Sequence, residues 1–164
     1  MALNQALLAE LKHESSNTRK ILERVPSDKL SWKPHEKSMT LGYLATHIAQ
    51  LPRWIARVTN KNEFDLVANP IKRDSAESTE QLLHIFDDTL AENIAVLESA
   101  NDDNLNSPWT FRRGDHIVFT LPRKVVLRNM AFNHLVHHRG QLSVYLRLLD
   151  VAVPGMYGPS ADEA

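Results

Sequence analysis

The chain has no cysteine among its 164 residues. That excludes a disulfide scaffold, a thiolate zinc knuckle, an iron–sulfur cluster and a protein thiol nucleophile. An excess of one charge is missing too. With 19 Lys and Arg against 20 Asp and Glu, no overall basic field exists to hold a polyanion such as DNA. No apolar run approaches the roughly 18 residues of a membrane span, and the start, Met1-Ala-Leu-Asn-Gln-Ala-Leu-Leu-Ala-Glu10, lacks the positive segment of a signal peptide. The expectation is a soluble cytoplasmic protein with no membrane or nucleic-acid partner. Only five Gly and eight Pro occur, and they cluster between long stretches of helical periodicity. At roughly 150 residues per domain, residues 1–164 read as one domain.

The first stretch carries Leu3, Leu7, Leu11, Thr18, Ile21, Leu22 and Val25 at three- and four-residue spacing, which predicts a helix from about Ala2 to Val25. Pro26-Ser27-Asp28 ends it, because proline cannot continue the backbone ladder. A linker containing Trp32-Lys33-Pro34-His35 leads to a second helix that opens near Ser38 or Thr40, either of which can cap it. Its stripe is Leu44, Ile48, Leu51, Ile55 and Val58, and Pro52 inside it predicts a kink or two shorter helices. Thr59 to Ser78 crosses between elements without strong periodicity. Ser78-Thr79-Glu80-Gln81 resembles a capping box and opens a third helix to about Ala100, with Leu83, Phe86, Leu90, Ile94 and Leu97 on one face. From Asp74 to Asp103 there are nine acidic residues and no Lys or Arg, read as a solvated face. Trp109 to Phe119 alternates loosely around Arg113-Gly114-Asp115, as a short hairpin or extended excursion does. A fourth helix runs from near Pro122 to Leu149. The fold class expected is therefore all-α, a four-helix bundle with long crossover connections and a short hairpin before the last helix.

Histidine is the titratable type in surplus, with eight copies. On a helix, His134 and His138 lie about 40° apart around the axis and one turn apart along it, so both imidazoles reach the same point. Their line continues through Leu127, Ala131, Leu142 and Leu149, the core-facing stripe, where an unpaired polar ring is costly. His47 sits in the buried sector of the second helix, between Leu44 and Leu51. A His-x-x-x-His pair on one helix plus one His from another gives three neutral nitrogen donors and leaves positions open, the geometry of a catalytic rather than a closed metal site. No Glu follows either histidine as in HExxH, and no acidic residue lies between Asn129 and Leu149, so a zincin-type protease is not expected. His137 lies on the other flank of the pair and reads as a supporting or interface residue. Gln141 and Tyr145, one and two turns on, either line the pocket or pack in the core. His13, His35, His84 and His116 read as surface residues, with His84 placed to pair with Asp88.

Together, Trp32-Lys-Pro-His35, Thr40-Leu-Gly-Tyr-Leu-Ala-Thr-His47, Asn133-His-Leu-Val-His-His-Arg-Gly-Gln141 and the ending Pro154-Gly-Met-Tyr-Gly-Pro-Ser-Ala-Asp-Glu163 resemble the DinB-like family. This is the DinB/YfiT superfamily of metal-binding four-helix bundles, and the likeness covers nearly the whole chain. It implies an antiparallel bundle, a divalent metal on His47, His134 and His138, and frequent homodimers. It also implies kinship with S-transferases and isomerases that use a low-molecular-weight thiol such as bacillithiol or mycothiol.

Three imidazoles suit zinc, nickel or iron. Such an ion acidifies a bound thiol or water. Because the chain has no cysteine, any thiol nucleophile must arrive as a small molecule. Thiol transfer to a small electrophilic substrate is thus the leading expectation. A hydrolase using a bound hydroxide, with Glu10 or Glu14 as base, is the alternative. A non-catalytic metal-stabilised bundle is the third, with Trp54 or Phe119 on an exposed dimer face. Arg112, Arg113, Arg123, Lys124 and Arg128 form a basic cluster around Phe111 that either holds an anionic thiol or carboxylate or pairs on the surface.

Overall fold

The computed structural model describes residues 2–71 and 75–163. Asp74, the first residue of the acidic run, lies outside them. Helix α1 (Leu3–Leu22) buries Leu7, Leu11, Thr18, Ile21 and Leu22 of the stripe expected of it and Leu8 besides, while Leu3 is half-buried. Ala2 has no side chain with which to cap α1, and the carboxylate of Asp102 does so from afar, accepting from Leu3 N at 2.9 Å. A short turn at Ser27–Lys29 follows. Thr40 then caps α2 (Leu41–Gln50) by accepting from Tyr43 N.

Pro52 divides the second helical stretch into two, giving α3 (Arg53–Asn60) after α2. The break strands backbone amides at the start of α3. Trp54 N and Ile55 N turn to Leu51 O and Pro52 O, which leaves Ala56 N without its usual carbonyl. Asn93 Oδ1 accepts from it at 2.8 Å, while Asn93 Nδ2 donates to Thr89 O at 2.7 Å. Asn93 belongs to α4 (Thr79–Ser99), and this bond corrects the face expected for that helix. The fully buried positions are Leu82, Phe86, Thr89, Asn93 and Leu97, whereas Leu83, Leu90 and Ile94 are half-buried. The helix is rotated so that a polar pair can heal the break opposite. Its cap also differs in one arm: Ser78 accepts from Gln81 N, but Gln81 Oε1 accepts from Glu77 N, one residue earlier than a capping box requires.

The all-α expectation is corrected by a three-stranded mixed sheet. Strands β2 (Pro108–Arg113) and β3 (His116–Pro122) form the predicted hairpin, with Gly114 at φ +60° in its turn. Strand β1 (Glu63–Asp65), inside the stretch read as a plain crossing, pairs parallel to β2. Three residues are too short to show a period, and the strand is held instead by Asp65, whose carboxylate accepts from Gly114 N and Val67 N, each at 2.9 Å. Those amides hold the Asp65 carboxyl below its ordinary range. Trp54 and Phe119 are not the exposed aromatics expected of them. Trp54 is buried against Phe64 and Phe111, with ring centroids 5.2 and 6.3 Å away, and Phe119 packs on Trp109 and Phe111. They join the sheet to the bundle.

A short helix α5 (Asp102–Asn106) precedes the sheet, and α6 (Arg123–Leu127) follows it. The fourth stretch begins as predicted after Pro122 but is not uniform: residues Arg128–Asn133 form a π turn before α7 (His134–Leu148). Helix α4 packs against α1, α2 and α3, and α7 packs against α1 and α2. Among the described residues no helix is long and apolar enough to cross a membrane.

The basic cluster disperses. Arg123 is buried, and its guanidinium donates to the carbonyls of Val58, Lys61 and Pro108, to Asn62 Oδ1 and to Ser107 Oγ. It thus clamps the end of α3 to the sheet. Lys124 donates to Asn106, Arg128 pairs with Glu10, and Arg112 donates to Gly114 O beside Glu63. Arg112, Arg123, Lys124 and Arg128 thus serve separate contacts rather than one anion site.

Candidate metal centre

The second helix and the last helix bring three histidines together. His47 projects from the middle of α2, and His134 and His138 from the first turns of α7. The π turn ends where α7 begins, so its extra residue sets the face from which His134 starts; such turns are frequent at functional sites. His134 Nε2 lies 2.9 Å from His138 Nε2 and 3.5 Å from His47 Nε2. Three imidazole nitrogens sharing one metal at a bond length near 2.05 Å stand about 3.0 to 3.3 Å apart, so these spacings bracket what an ion requires. The three side chains each offer a donor atom, all within 4.8 Å of one another.

The protonation pattern points the same way. His138 Nδ1 is 2.7 Å from Gln141 Oε1, an acceptor, so Nδ1 carries the hydrogen and neutral His138 presents a bare lone pair at Nε2. The Met130 backbone hydrogen-bonds the His134 ring and favours its protonated form, as a carbonyl acceptor does. The His138 Nε2 lone pair therefore faces His134 Nε2 at 2.9 Å, inside the triad, where it can accept a hydrogen or ligate a cation. Proton uptake is opposed at all three rings. Burial, and then His138 and His134, push His47 down to about 4. Burial, and then His138, lower His134; burial lowers His138 against the pull of Gln141. Neutral imidazoles are the ligand form, so the donor set fits a borderline divalent metal.

The remaining residues singled out from the sequence separate cleanly. Gln141 supports a triad ring through Nδ1. His137 is exposed, with its ring edge-on to His138 at 4.9 Å, outside the convergence. Tyr145 serves the linker, donating to Met39 O at 3.3 Å and packing edge-on to Trp32. His13, His35, His84 and His116 are exposed, and His84 Nδ1 is 2.8 Å from Asp88. Neither carboxylate considered as a base is free for that role. Glu10 pairs with Arg128, and Glu14 is buried with Arg139, which donates to it at 2.5 Å, and with Tyr157, which donates at 2.8 Å.

Sequence reasoning missed the approach to the triad. His47 lines the inner end of a constriction of about 30 Å³ shared with Gln50, Arg53 and Arg57. The same three residues continue into a cleft of about 600 Å³. Positions 47, 50, 53, 54 and 57 recur at three- and four-residue spacing, a stripe that was readable; the expected break at Pro52 hid it.

The DinB family model matches residues 1–164. YjoA of Bacillus subtilis (strain 168), an uncharacterized protein, is 30% identical over 155 residues, covering 88% of each chain. YrdA of the same organism, also uncharacterized, is 25% identical over 160 residues, 95% of this chain and 89% of YrdA. Among solved structures, a DinB-like protein from Bacillus cereus ATCC 10987 superposes with a TM-score of 0.71 at 24% identity, covering 95% of this chain and 98% of that one. The crystal structure of YjoA likewise superposes at 0.71, covering 96% and 98%, with 19% identity over the superposed residues. By sequence along its full length and by fold, the chain belongs to the DinB family.

Proposed function

We propose that this protein is a metal-dependent transferase that joins a low-molecular-weight thiol to a small electrophilic substrate, with His47, His134 and His138 holding one divalent ion. The observation that carries the reading is the convergence of three half-buried or buried imidazoles, with Gln141 engaging the outward nitrogen of His138, beside a cleft of small-molecule size. A divalent ion in such a site supplies a Lewis acid that lowers the pKa of a thiol and makes it nucleophilic at neutral pH. Gln141 fixes the tautomer and orientation of His138. Burial keeps the rings unprotonated. The chain's lack of cysteine makes the thiol a second substrate.

The engagement of Glu10 and Glu14 elsewhere favours thiol chemistry over hydrolysis, because an acidified thiol needs no separate protein base. A cytoplasmic location and a homodimer, the latter open to sedimentation analysis, complete the proposal. The test is metal content by elemental analysis of untagged protein, wild type beside His47→Ala and His134→Ala, followed by a screen of thiol–electrophile pairs. About one transition metal per chain is expected in the wild type, and neither variant should retain it. Wild-type protein that stays empty when zinc, nickel and iron are supplied would sink the reading. Metal with a large gain in melting temperature but no turnover would leave only a structural ion.

A further inference from the structure

The cleft that opens from His47 has a chemistry of its own. Arg53 and Arg57 on α3 stand one turn apart, and with Lys61 just beyond that helix they put three cationic side chains on its wall. Among the described residues no carboxylate forms an ion pair with any of the three. Glu63 also lines the cleft, but it lies 3.6 Å from Arg112. Arg57 is held in place rather than free to wander: its guanidinium carbon sits over Trp54 at 5.0 Å and over Phe64 at 5.4 Å. Those rings fix the planar group while its donors stay available for a carboxylate. Burial, and then the like charge of Arg53, lower the Arg57 pKa, so a bound anion relieves a strain already present.

From this arrangement we infer that the cleft is a carboxylate-binding subsite. Arg53 and Arg57 anchor a carboxylate-bearing small molecule whose other end passes Gln50 towards His47, the member of the triad that lines the constriction. The inference deepens the transferase reading and rests on it for the identity of the ligand, either the thiol or the electrophile. Carboxylate recognition by two guanidinium groups is a property of the cleft alone and can be measured without turnover.

Four thioethers provide the probes. They are the products of N-acetylcysteine or its methyl ester with iodoacetate or iodoacetamide. In each reaction the thiol sulfur bonds to the carbon bearing iodine, iodide departs with the bonding electron pair, and the thiol proton passes to solvent. Binding of each product to wild-type protein, Arg53→Gln and Arg57→Gln is followed by titration calorimetry at low salt. The dicarboxylate is expected to bind at least about tenfold more tightly than the uncharged ester-amide, a factor that one charge-assisted hydrogen bond supplies. Either variant is expected to lose most of that preference, and Arg53→Gln, which leaves the Trp54 stack untouched, covers the case in which Arg57→Gln folds poorly. The two monocarboxylates tell which reactant carries the anchored group. Equal binding of charged and uncharged probes, or a preference that survives in both folded variants, overturns the inference. Turnover measured on the same proteins separates the two readings. Charge-selective binding without any thiol transfer keeps the subsite and removes the transferase, whereas transfer with no charge preference does the reverse.

Discussion

Replacing Arg139 by Met removes the cation from the most deeply buried ion pair among the described residues. Arg139 is 2% exposed at its side chain and Glu14 10%. The guanidinium donates to Glu14 Oε2 and to the Tyr157 hydroxyl, each at 2.5 Å, and to Glu14 O and Thr18 Oγ1 at 3.0 and 3.1 Å. It therefore binds α1, α7 and the C-terminal tail into one network. Without it, the Glu14 carboxylate stays buried with the Tyr157 hydroxyl as its remaining donor. Breaking a buried pair from one side costs roughly 3–5 kcal/mol, and a chain of this size melts about 2–4 °C lower per kcal/mol, so a fall of roughly 6–20 °C is expected. Glu14→Leu strands the opposite charge and falls in the same range. The double variant leaves no buried charge and should recover most of the loss, which gives a coupling energy of about 2 kcal/mol or more. Thermal melts followed by circular dichroism, with metal content held constant, complete the cycle. Single-variant losses under about 1 kcal/mol, or a double variant equal to the sum of the singles, would refute the reasoning. The outcome also bears on chemistry. If Glu14 were a catalytic base, Glu14→Gln would abolish turnover at little cost in stability, whereas a structural ion pair predicts the opposite pattern.

Two further expectations concern the triad. His47 stays neutral to about pH 4 in the folded chain, whereas an unfolded histidine takes up its proton near 6.5. Between those values the unfolded state binds more protons, so metal-free protein loses stability as pH falls from about 6.5 towards 4, by less than about 3 kcal/mol from this group once solvent screening at its part-exposed ring is counted, and this contribution is flat above that window. Urea melts across the range show the slope, and His47→Leu should flatten part of it; a wild-type profile level from pH 7 to 4.5 contradicts the assignment. Gln141→Leu removes the acceptor at His138 Nδ1 and should weaken metal binding about 10- to 100-fold in competition with a chromophoric chelator. His137→Ala in the same assay should leave affinity unchanged, and the reverse ranking would place the supporting contact on the wrong side of the ring.

The four helical stretches and the three histidines were readable because each rests on spacing within one segment. Apolar periodicity marks the buried face of a helix, and His134 and His138 four residues apart must share a face wherever that helix packs. Pro52 announced a break for the same local reason, since it lacks the backbone donor. What the sequence could not show depends on contacts between distant segments. Asn93 is polar, so a count of apolar positions turns α4 the wrong way until the stranded amide of Ala56 appears opposite it. Strand β1 exists only because β2 and Asp65 hold three residues in register. Arg123, Arg128 and Arg139 look alike in the sequence. One clamps backbone carbonyls, one lies at the surface, and one closes a buried ion pair. Local pattern determined the helices and the donors of the candidate metal site; which cations stayed available in the cleft beside His47 was decided by tertiary packing, because a charge is neutralised by whatever folding brings within a few ångströms of it.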